Sequence, residues 1–251
     1  MKNKTLHADQ LCFKHHDKRS NLIWNNFKFS VSLGETVSII GSSGIGKTTL
    51  LRVLSGLHKF ESGNIYIDSS ENTVTQPKSP IFIVFQDYNL TLLPWLTVKE
   101  NIKLADFKST VQNKITILET LEILFGNNAN NTKILEMYPD QLSGGQKQRI
   151  QIARALFSNS DFIFFDEPDT GVDIKTKLSL RKTFIDLAKN QNKGIVLITH
   201  DLDNAYAISD KLYIIHESNQ NSTNRIFNLV EVVKDNSMQF DNFRKMVIDY
   251  L

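Results

Sequence analysis

Gly41-Ser42-Ser43-Gly44-Ile45-Gly46-Lys47-Thr48-Thr49 is the stretch on which the reading of this 251-residue chain turns. It has the form G-x-x-x-x-G-K-[ST] and sits between two segments of different character. Before it, Glu35-Thr36-Val37-Ser38-Ile39-Ile40 is rich in β-branched residues and predicts a buried strand. After it, residues 49–56 carry apolar side chains at helical spacing and close on Gly56. Gly41, Gly44 and Gly46 allow a tight turn whose N–H groups converge, and the positive end of the following helix points into the same concavity. Lys47 is expected to reach the β- and γ-phosphates of a nucleotide, and Thr48 to offer its hydroxyl to Mg²⁺. Ser42, Ser43, Ile45 and Thr49 complete the loop as further nucleotide contacts. A Gly/Ser-rich loop can match such a string by accident; the flanking strand and helix argue against accident here.

The length allows one large α/β domain or a core with a modest insert. A net charge of +2, without a long run of Lys and Arg, gives no groove for nucleic acid. The lone cysteine, Cys12, excludes an intrachain disulfide, favours a reducing compartment, and reads as a small packed residue near a strand. Residues 1–16 hold no apolar core of signal-peptide length. The longest apolar runs, 81–85 and 162–165, are too short to span a bilayer, so the chain reads as soluble.

Strand-like segments fall at 7–14 and 27–33, with a polar connection at 15–21. A turn at 61–64 and a short strand at 65–67 follow, then a polar loop at 69–79 and a buried strand at 81–85. From residue 88 to about 157 strand-like runs disappear. Ile115, Leu118, Leu121, Glu122 and Phe125 mark a helical face that Gly126 breaks. Strands at 161–165, 195–199 and 212–215 then alternate with helices near 175–190 and 202–208, the pattern of a mainly parallel sheet. A possible strand at 225–233 and a short amphipathic helix with Phe240, Phe243, Val247 and Leu251 on one face end the chain.

Two further motifs carry chemistry. Phe162-Ile163-Phe164-Phe165-Asp166-Glu167 is a buried strand ending in two acids, which places them at the carboxyl edge of a parallel sheet, where ligands bind. Asp166 suits Mg²⁺, and Glu167 suits polarisation of a water that attacks the γ-phosphate. Leu142-Ser143-Gly144-Gly145-Gln146 precedes a helix-like run, so Ser-Gly-Gly forms a second anion site by the physics of the first. Alone, it would be an ordinary serine cap.

GSSGIGKTT, LSGGQ, FIFFDEP and the His200 of IVLITHD stand in the order and approximate spacing of an ABC-transporter ATPase subunit, and the resemblance covers nearly the whole chain. It implies a P-loop NTPase core with a mainly parallel sheet, an N-terminal antiparallel β part and an inserted helical subdomain. The core would comprise 1–87 and 158–251, and the insert 88–157. It implies Mg²⁺-dependent ATP hydrolysis, with ATP sandwiched between the loop at 41–49 of one copy and Ser143, Gly144, Gly145 and Gln146 of a second. Gln86 would sense the γ-phosphate and Mg²⁺, serving as a third metal ligand beside Thr48 and Asp166. Asp173 would be the D-loop aspartate, counted with the nucleotide-binding residues, and His200 would contact the γ-phosphate. The partners implied are membrane permease subunits and, indirectly, an external solute-binding protein, at the cytoplasmic face of the membrane. Residues 85–102, with LLPWLTV, resemble importers of nitrate, taurine, alkanesulfonates and thiamine precursors. Trp95, Leu92, Leu93 and Leu96 would line a groove for a permease helix; the bland alternative is a Trp95 packed at the base of the insert.

The chain departs from the family's pattern in places. The adenine-stacking aromatic, commonly Tyr, falls to Phe13, with Trp24 the less favoured choice. Asp169 and its neighbours replace the usual small residue and Leu before Asp173, and Asn204 stands where importers usually carry Glu. The alternative function is the soluble ATPase of iron–sulfur cluster assembly, against which LLPWLTV argues. Chromosome-type members need coiled-coil arms that the stretch between Gln86 and Leu142 cannot hold.

Overall fold

The computed structural model describes residues 4–16, 21–68, 73–75, 81–87, 91–105, 116–126, 131–158, 160–170, 174–219, 224–233 and 240–248. Among the described residues ten strands form one sheet: β1 (Thr5–His16), β2 (Asn21–Ser32), β3 (Thr36–Ile40), β4 (Ser62–Asp68), β5 (Thr73–Thr75), β6 (Ile81–Val84), β7 (Phe162–Asp166), β8 (Gly194–Ile198), β9 (Lys211–Asn219) and β10 (Asn224–Val233). Their order is β5-β4-β1-β2-β10-β9-β3-β8-β7-β6. From β9 to β6 every pairing is parallel. β5, β4, β1 and β2 pair antiparallel, and β10 joins them to the parallel half. This is the α/β arrangement expected from the sequence.

The apolar runs explain themselves in this sheet. β3, β7 and β8 are buried along their whole length, as strands covered on both faces must be. Successive residues of β7 serve opposite faces: Phe162 and Phe164 pack with α1 (Lys47–Leu54) and the antiparallel strands, Ile163 and Phe165 with the helices of the other face. Each such side chain contributes about 1.5–3 kcal/mol by leaving water.

Between β6 and β7 the described residues contain no strand. They form α2 (Val98–Lys103), α3 (Ile117–Phe125), α4 (Asn131–Leu135), a 3-10 turn at Pro139–Gln141 and α5 (Gly144–Phe157). Thr97 with Glu100, Thr116 with Glu119 and Ser143 with Gln146 each close a capping box, so α2, α3 and α5 start where side chains satisfy their first N–H groups. α6 (Ile174–Lys189), α7 (Leu202–Ile208) and α8 (Phe240–Ile248) complete the chain. Among the described residues, no helix is long and apolar enough to cross a membrane.

Three expectations need correction. Residues 73–75, read as loop, pair with β4 as β5, a polar Thr-Val-Thr run recognisable only by its partner. In α3 the period holds but the phase is shifted: Leu121 and Leu124 are buried while Leu118 is 46 % exposed. Trp95 is not packed at the base of the insert; it is 69 % exposed, whereas Leu92, expected to line a groove, is buried. In α8, Phe243 and Val247 are buried against Ile40, Ala205 and Leu212; Ile115 and Leu251 lie outside the described residues.

Candidate nucleotide and hydrolysis site

The loop between β3 and α1 bends through Gly44 at φ 75° and Gly46 at φ 98°, backbone values that glycine adopts without strain. A Cβ at Gly46 would lie 3.4 Å from the Trp24 ring, so the loop rests directly on that indole. Ser42, Ser43 and Gly44 are exposed, Thr49 is half-buried, and the Ile45 side chain is part of the core. Lys47 is 7 % exposed, and its Nζ donates to the carbonyls of Gly41 at 2.8 Å and Ser42 at 3.1 Å. Burial lowers the pKa of this ammonium, against the pull of Glu167 and Asp166.

Thr48 Oγ1 donates to Asp166 Oδ2 at 2.8 Å, which sets a hydroxyl beside a carboxylate at the first turn of α1. Asp166 is buried, and burial raises its carboxyl pKa while the bond from Thr48 opposes the rise. Among the described residues no group of three or more His, Cys, Asp or Glu side chains is placed to hold a metal. The fit for Mg²⁺ lies in the Thr48–Asp166 pair, two hard oxygen donors of the kind that ion prefers. A cleft of about 300 Å³ opens onto this pair, lined also by Arg52, Phe85, Gln86 and Asp87.

Glu167 has φ 47°, unusual for a residue with a Cβ and of the kind that clusters at functional sites. Its N–H donates to Ile198 O at 2.9 Å, so β8 holds the turn. Its Oε2 accepts from Gln86 Nε2 at 3.3 Å and from Thr170 Oγ1 at 3.1 Å, and His200 Nδ1 stands 3.4 Å away. Three residues from separate segments thus meet on one carboxylate oxygen. Thr170 is an addition that no sequence motif singled out. The turn is also tied to α5, because Gln148 Nε2 donates to Pro168 O. Gln86 is engaged with Glu167 through its amide nitrogen, and its part in holding a metal stays a proposal.

The second loop is built differently. Ser143 caps α5: its Oγ accepts from Gln146 N at 3.3 Å and its N–H donates to Gln146 Oε1 at 2.8 Å. Ser143, Gly144 and Gly145 are exposed, and a Cβ at Gly145 would meet no heavy atom within 4 Å.

Phe13 is a correction. It is 2 % exposed, stacked on Trp24 at 5.4 Å and edge-on to Phe27 at 5.9 Å, so neither face is open to an adenine. Trp24, fully buried, offers no face either. Asp173 lies outside the described residues.

Comparison with known proteins places these features in context. A sequence profile of the family described as ABC transporter matches residues 24–170. The chain is 34 % identical over 235 residues to a spermidine/putrescine import ATP-binding protein of Protochlamydia amoebophila, covering 90 % of this chain and 59 % of that protein. It is 34 % identical to a nitrate import ATP-binding protein of Synechocystis, covering 83 % of this chain and 30 % of that protein. It is 33 % identical to an aliphatic sulfonates import ATP-binding protein of Bacillus subtilis, covering 78 % and 74 %. The chain therefore spans less than two thirds of the length of the first two relatives. A dimeric bacterial ABC transporter cassette superimposes with TM-score 0.69 at 28 % identity, covering 83 % of this chain and 93 % of that one. An inward-facing metal-chelate type ABC transporter gives TM-score 0.73 at 24 % identity over 99 % of this chain and 90 % of that one, a likeness of fold alone.

Proposed function

The chain belongs to the ABC transporter family, and from that premise we propose that it is the ATP-hydrolysing, energy-coupling subunit of an importer. The observation that carries the reading is the meeting of Gln86, Thr170 and His200 on Glu167 Oε2, next to the Thr48–Asp166 pair. The phosphates bind to the N–H groups of the loop at 41–49. Lys47 exchanges the carbonyls of Gly41 and Ser42 for β- and γ-phosphate oxygens. Thr48 and Asp166, with Gln86, would hold Mg²⁺, which would supply neutralisation of charge on those oxygens. Glu167 accepts the proton of the attacking water as its oxygen bonds to the γ-phosphorus and the bond to the β–γ bridging oxygen breaks. Gln86 and His200 keep that carboxylate in place and bracket the transferred group.

A second copy supplies Ser143 to Gln146 over the nucleotide, a reading supported by the dimeric arrangement of the similar bacterial cassette. The permease is proposed to dock on the helical insert. Trp95 stands exposed before α2, and a cleft of about 370 Å³ between β6 and α5 is lined by Phe82, Phe85, Gln151 and Arg154. Exposed aromatics of this kind act as anchors for a helix laid in a groove. The chain would then sit peripherally at the cytoplasmic face, with an external solute-binding protein acting through the permease. The solute proposed is a small anion or a nitrogen- or sulfur-containing compound, supported by residues 92–98 and by the nitrate and sulfonate relatives. The relatives named above are all import proteins, which favours this reading over iron–sulfur cluster assembly.

Glu167→Gln tests the hydrolytic role. Turnover is expected to fall by about 10²–10⁴-fold, because an amide cannot take the proton, with ATP affinity unchanged within about twofold. A variant hydrolysing at the wild-type rate would place the general base elsewhere.

A further inference from the structure

We propose that Asn204 is a positioning residue for the hydrolytic carboxylate, acting through Asp169; this rests on the hydrolytic reading of Glu167. Asn204 and Asp169 lie 35 residues apart, yet both are 2 % exposed and joined, with Asn204 Nδ2 donating to Asp169 Oδ2 at 2.8 Å. The other end of the amide is also occupied, since Arg181 Nε of α6 donates to Asn204 Oδ1 at 2.8 Å. A guanidinium only donates and a carboxylate only accepts, so one amide orientation satisfies both. An apolar side chain at position 204 would leave a buried carboxylate without its donor, and an acidic one would set two carboxylates against each other.

The bond joins two catalytic segments. Asp169 is in the turn 167–170, whose Thr170 N–H donates back to Glu167 O at 3.3 Å. Asn204 is in α7, and its own N–H donates at 3.0 Å to Asp201, the cap that directly follows His200. Lys177 of α6 pairs with the same Asp201 at 3.1 Å. The Asn204 amide therefore clamps the Glu167 turn and the His200 turn against α6 as one unit. That unit holds Glu167 Oε2 and His200 Nδ1 at 3.4 Å. Gln148 fixes the turn from another side, and Ile198, two residues before His200, ties it to the end of β8.

Steady-state ATPase kinetics and equilibrium nucleotide binding of Asn204→Glu test the clamp. Loss of one buried hydrogen bond to a charged group should lower kcat about tenfold, with KM and ATP affinity within about twofold of wild type. The exchange Asp169→Asn/Asn204→Asp should return kcat to at least about half, because the carboxylate at 204 accepts from both Arg181 and the amide at 169. Should Asn204→Glu fail to fold, Asn204→Ala, readily housed in a helix, must give the same split between kcat and affinity. An unchanged kcat, a matching loss of affinity, or no recovery in the exchange overturns the positioning role. A wild-type protein without ATPase activity overturns instead the hydrolytic reading on which the proposal stands.

Discussion

The two glycine-rich loops obey the same physics and are built to opposite ends. The loop at 41–49 is furnished from within: it rests on Trp24, encloses Lys47, and places Thr48 against Asp166. The loop at 142–146 presents N–H groups at the start of α5, and Ser143, Gly144 and Gly145 face outward. The first has a floor, a cation and two hard oxygen donors, so on the proposed reading it would take a triphosphate alone. The second turns Ser143, Gly144 and Gly145 outward, which on the proposed reading suits it to complete a site whose other wall belongs to another molecule. On that reading, a chain carrying one loop of each kind has half of two sites.

Four substitutions sharpen or break that contrast. Phe13→Ala removes the ring stacked on Trp24 beneath the first loop and should destabilise the protein by about 3–5 kcal/mol in denaturant unfolding. ATP affinity of the folded protein should stay the same, because Phe13 has no face open to adenine; a selective loss of affinity would restore it as the stacking platform. Lys47→Ala, measured by nucleotide titration, should weaken ATP binding about a hundredfold through lost charge-assisted bonds to phosphate. Ser143→Arg should leave ATP binding by the single copy unaltered and lower turnover at least about tenfold, since the bulk falls only where a partner's nucleotide would sit. Gly145→Ala should stabilise α5 by about 0.5–1 kcal/mol, the helix preference for alanine, while turnover falls severalfold. Turnover that rose with stability would mean that nothing approaches Gly145.

The parts of this site legible in the sequence are those written in one contiguous run. GSSGIGKTT and FIFFDE each span a strand end and the turn beyond it, so local pattern and chemistry coincide. The meeting of Gln86 and His200 with Glu167 depends on the order of β6, β7 and β8 in the sheet, and only the family resemblance brought those residues together beforehand. An aromatic on a strand serves equally as platform or core, and the bulged β1–β2 pairing turns Phe13 against Trp24. Asp169 and Asn204 read as separate oddities until the structure made them partners. The Thr116 capping box sets where α3 starts, whereas its buried face, through Thr120, Leu121 and Leu124, is set by packing that a count of apolar residues does not weigh.

Size-exclusion chromatography of Glu167→Gln with Mg-ATP tests the complementarity of the two loops most directly. With hydrolysis blocked and Lys47, Thr48 and Asp166 intact, nothing should reopen the sandwich. The variant should therefore elute as a dimer with Mg-ATP and as a monomer without it. Adding Ser143→Arg to the same variant should return it to monomer while ATP remains bound. A Glu167→Gln protein that binds Mg-ATP yet stays monomeric, or a dimer indifferent to Ser143→Arg, would contradict the account.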